Sequence, residues 1–222
     1  MRYNNLTELR VFLALCVVIS HAVQLGGLQE FNFLRHLFSS EVAVQGFFIV
    51  SGLLVSASYR RSITVKDFYW RRILRIYPAY AVAVVLFFFL SLSLARTGPL
   101  PPAMEVLAYL AANLSTLNFL KPTVTGLFTG NEFLEVNGAL WTIKVELGFY
   151  LILPALFMLT RYVSLWTLGL LLIIAGLSWT PLIAALQYHA GLAGYTALAH
   201  QLPGQLQYFG LGMLLFAHFE GR

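Results

Sequence analysis

The chain has 222 residues, 59% of them hydrophobic and only 10% charged, with a mean hydropathy of +0.77. Soluble domains carry roughly 25% charged residues, so a water-soluble fold is excluded: there is too little polar surface to cover so much apolar surface. The net charge of +5 does not point to nucleic acid, because the cations cluster between apolar runs as they do in cytoplasmic loops.

A bilayer crossing needs about 20 mostly apolar residues. That rule predicts helices near 9–27, 40–59, 76–95, 139–160, 163–181 and 203–219, and an all-α, polytopic transmembrane helical bundle of about six to eight membrane helices. The first run reads as a retained helix and not as a signal peptide. Glu8 and Arg10 sit just before its apolar core, and Leu25-Gly26-Gly27-Leu28 offers no small-x-small cleavage pattern. The lone cysteine, Cys16, lies inside this run, so no disulfide can form within the chain and its expected role is packing.

Residues 60–75 hold Arg60, Arg61, Lys66, Arg71, Arg72 and Arg75 against the single acid Asp67, which predicts a cytoplasmic loop. The N-terminus is then cytoplasmic and the connection 28–39 external. A second outward segment runs from Arg96 to about Gly138 and contains the helix-breaking Gly98-Pro99-Leu100-Pro101-Pro102, with Glu132 and Glu135 near its end. Within it, residues 103–120 are apolar, but Glu105, Asn113, Ser115, Thr116 and Asn118 favour an interfacial or re-entrant helix over a full crossing. A full crossing there would reverse the sides of every later segment. Residues 182–200, with His189 and His200, read as an outer loop or a short extra span. With no internal repeat and no flexible linker, a single membrane domain over 1–222 is expected.

Three constellations carry chemistry. Arg10 and His21 are eleven residues apart, about three turns or roughly 16 Å along one helix face. An ionisable group inside a span usually faces a cavity or a partner, and imidazole can take a proton from a hydroxyl and return it; a histidine hydrogen-bonded to a neighbouring helix accounts for His21 as well. In Trp70-Arg71-Arg72-Ile73-Leu74-Arg75-Ile76-Tyr77-Pro78, the three- and four-residue spacings put Arg71, Arg72 and Arg75 on one cationic face. Such a face suits the phosphates of coenzyme A, and equally suits anchoring at a cytoplasmic surface or binding anionic headgroups. In Leu140-Trp141-Thr142-Ile143-Lys144-Val145-Glu146-Leu147-Gly148-Phe149-Tyr150, Glu146 precedes an apolar run, so its carboxylate should face protein or water. It could orient His21, act as base itself, or pair with an arginine.

Gly46, Ser51 and Gly52 permit close helix approach, with a wall for an acyl chain as the functional option. His36, His189, His200 and His218 share no ligand spacing, so no metal is assigned. Phe87-Phe88-Phe89 reads as lipid-facing bulk.

Taken in order, Glu8-Leu9-Arg10 through Ser20-His21, Phe47-Phe48-Ile49-Val50-Ser51-Gly52, Arg71 through Pro78, Leu140-Trp141-Thr142 through Glu146 and Phe149-Tyr150, and Tyr208-Phe209-Gly210-Leu211-Gly212-Met213-Leu214 resemble the acyltransferase-3 family. Members of that family are integral membrane acyltransferases that modify surface polysaccharides and other envelope glycans. The resemblance implies that His21 is the essential histidine, with Arg10 completing the motif on the first helix. It implies that Arg72 and Arg75, with Arg71 beside them, engage an acyl-CoA donor, that Glu146 is the acidic position tuning the histidine, and that Trp141 lies on the substrate side.

The function so implied is O-acyl transfer in a bacterial inner membrane. An acetyl or similar small group would move from cytoplasmic acyl-CoA to a hydroxyl of an envelope polysaccharide, with no tightly bound cofactor. Against the family the chain is short after Glu220-Gly221-Arg222, which implies that the last membrane helices are missing, and Lys144 is an unusual residue within the tryptophan motif. The rival functions are a small transporter whose His21 and Glu146 relay protons, and a non-catalytic membrane partner.

Overall fold

The computed structural model describes residues 5–190, 198 and 200–221. The described residues form helices and loops, with one isolated antiparallel bridge between Arg96 and Leu127. In chain order the helices are α1 (Asn5–Leu25), α2 (Asn32–Leu37), α3 (Ser40–Arg60), α4 (Val65–Leu94), α5 (Ala103–Leu114), α6 (Trp141–Leu159), α7 (Leu165–Ala190) and α8 (Leu202–Glu220). Segments Leu6–Leu25, Gln29–Arg60, Val65–Leu94, Gly138–Leu159 and Leu165–Tyr188 are each long and apolar enough to cross a membrane. The polytopic all-α fold expected from composition is therefore the one found. The helix α8, expected as a further crossing, is 19 residues long but is not among those five segments.

Two boundaries differ from expectation. The basic segment expected as a loop up to residue 75 is helical from Val65 onward, because Thr64 caps the turn by accepting from the Asp67 backbone N–H (3.0 Å). Its 30 residues make α4 about 45 Å long, against a hydrocarbon core of about 30 Å, so the basic turns can extend past the lipid without leaving the helix. The helix α7 continues through Pro181 to Ala190 and absorbs the first part of the segment expected as an outer loop or a short extra span. Residues 191–197 and the His189 side chain lie outside the described residues. The expected external connection 28–39 contains a 3-10 turn (Gln29–Phe31) and the short α2.

The chain divides into two compact units, residues 1–62 with 148–222 and residues 63–147. In the first, α8 packs between α3 and α7. Phe209 is the keystone: its ring stacks on Phe149 (centroids 4.0 Å apart) and tilts against Phe48 (5.0 Å). Glycines make the backbones meet. A Cβ built on Gly52 would collide with the Phe209 carbonyl oxygen, and one on Gly212 with the Ile49 carbonyl oxygen. On the α7 side, a Cβ on Gly210 would lie 2.7 Å from the Gly169 carbonyl oxygen. Cys16 is buried in a cluster with Leu13 and Ala43, the packing role expected of it. Arg60 Nε and Glu220 Oε1, 2.7 Å apart, join the C-terminal ends of α3 and α8.

In the second unit, Phe88, Tyr109, Val124, Leu127 and Val136 form one core cluster and Tyr80, Val84 and Leu140 another. At 12 residues, or about 18 Å, α5 is too short to cross a bilayer, in keeping with the preferred interfacial or re-entrant reading. Its polar residues serve the protein. The buried Asn113 amide donates to the carbonyls of Tyr109 and Lys121 (both 2.9 Å), and Tyr80 Oη donates to the Asn113 carbonyl (2.6 Å). Burial pushes the Tyr109 phenol up to about 12, so the ring stays neutral where it stacks on Phe88.

Glu105 fixes the loop that follows α5. Its Oε1 accepts from Thr125 N (2.8 Å) and Thr125 Oγ1 (2.9 Å), and these two bonds hold the carboxyl below the usual carboxylate range. A depressed folded value means the contact stabilises above the unfolded carboxyl's titration and loses that effect as pH falls through the folded value. Amide exchange at Thr125, corrected for intrinsic pH dependence, should therefore be slow at neutral pH and accelerate at acidic pH, and Glu105→Gln should flatten the pH response. Equal protection across that range would rule out the carboxylate as the anchor.

Candidate active site

The site begins with α1, which runs unbroken through Arg10 and His21. Eleven residues at 100° each bring the two side chains to within about 20° of one another around the helix, three turns apart. Both residues are half-buried in a helix whose lipid-side positions Val11, Phe12, Leu15 and Val18 are more than half exposed. The imidazole is thus carried by an apolar crossing and turned away from its most exposed face. Ser20, immediately before it, is buried, and its hydroxyl donates to Ser40 Oγ at 3.3 Å, tying α1 to the start of α3.

Ser20 also lies at the floor of a cleft of about 400 Å³ in the same unit. Asn32, Arg35 and His36 of α2 line it, together with Ser40 and Glu41 of α3. The expected site contained none of these residues. The available signal was the spacing of Asn32, Arg35 and His36 at i, i+3 and i+4, which sets a polar stripe on a segment that otherwise reads as an apolar connection.

The arginines belong to the second unit, and the structure divides them. Spacing alone put Arg71, Arg72 and Arg75 on one cationic face. Instead Arg71 and Arg75 are exposed while Arg72 is buried, its guanidinium 5.9 Å from the ring centroid of the fully buried Phe68. Arg71 Nε binds Asp67 Oδ1 at 2.8 Å, one turn earlier. The physical reason is the angular offset: Arg71 and Arg72 lie 100° apart on the helix, enough to put one toward the solvent side and the other into the packing of Phe68. Trp70, Ile73, Leu74 and Tyr77 are exposed beside the two outward arginines, giving that end of α4 an apolar and aromatic surface studded with cations.

Trp141 and Glu146 are both half-buried in the first two turns of α6. Glu146 shares its side of the helix with the buried Phe149 and Tyr150, and Leu151 is exposed, so the carboxylate is not on the lipid-facing stripe. Lys144, unusual at its position, is half-buried with Nζ 4.6 Å from the Phe119 ring centroid. That cation–π contact accounts for a lysine without a carboxylate beside it. Arg10 and His21 lie in the first compact unit, and Arg71, Arg72, Arg75, Trp141 and Glu146 in the second.

Comparison with known proteins adds to this geometry. Nodulation protein 10 from Rhizobium leguminosarum bv. viciae is 36% identical over 172 residues, covering 71% of this chain and 45% of that protein. Acyltransferase MdmB from Streptomyces mycarofaciens is 30% identical over 167 residues, 72% of this chain and 41% of the relative. An O-acetyl transferase from Shigella phage Sf6 is 28% identical over 163 residues, 67% of this chain and 44% of the relative. The chain thus spans less than half the length of these curated relatives, and no solved structure matches it. The model of the acyltransferase-3 family, described as an acyltransferase domain, matches residues 3–222, and the chain belongs to that family.

Proposed function

We propose that this chain carries the acyl-transfer site of a membrane O-acyltransferase. It would move an acetyl or similar small acyl group from cytoplasmic acyl-CoA to a hydroxyl of an envelope polysaccharide or other glycan. The observation that supports this most is His21, a half-buried imidazole in an apolar crossing, next to a buried serine at the floor of a polar cleft. The names of two relatives, an acyltransferase and an O-acetyl transferase, agree with acyl transfer.

In the proposed reaction an imidazole nitrogen of His21 takes the proton of the acceptor hydroxyl as its oxygen attacks the thioester carbonyl. The new C–O bond forms, the C–S bond breaks, and the imidazolium returns the proton to the departing CoA thiolate. In a two-step variant the imidazole itself carries the acyl group before the hydroxyl takes it. Glu146 is assigned the tuning of the histidine, Arg10 and Trp141 the lining of the substrate path, and Arg71, Arg72 and Arg75 the donor phosphates. The N-terminus is assigned to the cytoplasm and the chain to a bacterial inner membrane, as the basic turns around α4 favour.

The donor assignment has its own test. Binding of radiolabelled acetyl-CoA to the purified chain in nanodiscs should weaken roughly tenfold to a hundredfold in Arg72→Ala and in Arg75→Ala, the loss associated with a hydrogen bond to a charged group. Arg71→Ala should have a smaller effect, because Asp67 already engages its Nε. Unchanged binding in all three variants would reassign these residues to surface anchoring.

A further inference from the structure

We propose that the cleft between α2 and the start of α3 is the acceptor subsite, and that it holds a neutral, polyhydroxylated sugar ring of the glycan against Arg35 and Glu41. This deepens the acyl-transfer reading and rests on it.

The first observation is the chemistry of the lining. A volume of about 400 Å³ falls within the range of small-ligand sites, about 300–1,000 Å³. Among the described residues, the side chains of Asn32, Arg35 and His36 make no hydrogen bond or ion pair with the protein, so their donors are available to a ligand. Glu41 gives one oxygen to Gln45 Nε2 (3.2 Å) and keeps the other. Ser39 is occupied, accepting from the Val42 N–H as the cap of α3.

A guanidinium, an amide and a carboxylate lining one cleft match the hydroxyls of a sugar, each of which both donates and accepts. An anionic group fits worse, since Glu41 would repel what Arg35 attracts.

The second observation is the placement of α2. Asn32, Arg35 and His36 occupy one arc of about 100°, while Phe33 and Leu37 on the other side are exposed, as are Leu28 and Phe31 just before them. A six-residue helix with one apolar exposed face and one polar face lies naturally at the edge of a bilayer, apolar side in lipid. The polar face then opens the cleft to the aqueous rim, where an envelope glycan is reached. The third observation is adjacency along the chain: the buried Ser20 lines the cleft, and the next residue of α1 is His21. The proposed subsite seats a ring on Arg35 and Glu41 so that one of its hydroxyls reaches the imidazole.

The test uses membranes from cells expressing the full chain, radiolabelled acetyl-CoA, and envelope glycan extracted from the same cells and added over a concentration range. Arg35→Ala and Glu41→Gln are each expected to raise the glycan concentration giving half-maximal transfer roughly tenfold to a hundredfold. The maximal rate and acetyl-CoA binding should stay unchanged, and Arg35→Lys should recover part of the loss. Wild-type transfer curves in both variants would overturn the subsite, as would loss of acetyl-CoA binding in parallel with transfer, which marks a structural role. If the variants changed only stability in nanodiscs containing anionic lipid, the cleft would be a headgroup site and the proposal would fail. If the unaltered protein transferred no label to glycan, the acyl-transfer reading itself would fall, an outcome distinct from an active protein indifferent to Arg35 and Glu41.

Discussion

Replacing His21 by alanine is expected to lower acyl transfer from acetyl-CoA by about two to four orders of magnitude, the contribution typical of a positioned acid–base group. The chain should still insert and keep its helix content. The position is half-buried on a 21-residue helix that stays anchored through Leu13, Cys16 and the Ser20 to Ser40 hydrogen bond, and alanine is the best helix former. Acetyl-CoA binding should persist, because the residues assigned to the donor phosphates lie on α4. Radiolabel transfer and donor binding measured on the same nanodisc preparation separate these effects. A folded His21→Ala protein that transfers at the unaltered rate would remove the imidazole from the mechanism. Intact-protein mass spectrometry after rapid acid quench distinguishes the two proposed routes, since the carrier route leaves an acyl group on the chain and the base route does not.

Substituting valine at Gly52 or Gly212 is expected to produce the largest loss of stability, at least about 1–3 kcal/mol, the usual cost of inserting bulk into a closed core. A Cβ at Gly212 would lie 2.7 Å from Leu53 N and 2.8 Å from Gly52 Cα, and one at Gly52 would lie 3.0 Å from Phe209 Cα. These neighbours are backbone, so no side-chain rotation can relieve the overlap. Separating α3 from α8 would also pull Phe209 from between Phe48 and Phe149. In lipid, helix association depends on close packing because lipid tails are as apolar as leucine, so the lost contacts are not replaced by a hydrophobic driving force. Thermal unfolding in detergent should show both valine variants melting well below the parent. Gly98→Ala, where nothing lies within 4 Å of the added Cβ, should melt with it. Parent-like melting of Gly52→Val and Gly212→Val would show that α3 and α8 are not in backbone contact.

Much of this was legible in the residues themselves. Apolar runs of crossing length gave the number and approximate limits of the long helices. Cys16, Gly46 and Gly52 gave themselves away as packing positions by size and setting, and the polar residues of α5 argued against a full crossing. The pairing of Arg10 with His21 needed only the helical period and an unbroken helix. Acidic, basic and aromatic positions in order along the chain carried the family likeness. The misplaced start of α4 came from reading cations as a loop signal; a helix longer than the bilayer is thick can carry its charges in its own first turns.

What the sequence by itself determined, then, is which side chains share a helix and an arc of that helix, because the helical repeat fixes their angles. It did not determine which arc meets protein, since in a membrane apolar side chains cover both the inner and the lipid-facing sides and hydrophobicity no longer marks the interior. Only tertiary packing buried the arc of α4 that carries Phe68 and Arg72 while leaving Arg71 and Arg75 outside, directed the Asn113 amide to backbone carbonyls, and opened a polar cleft between α2 and α3 that is lined by Ser20, the residue before His21.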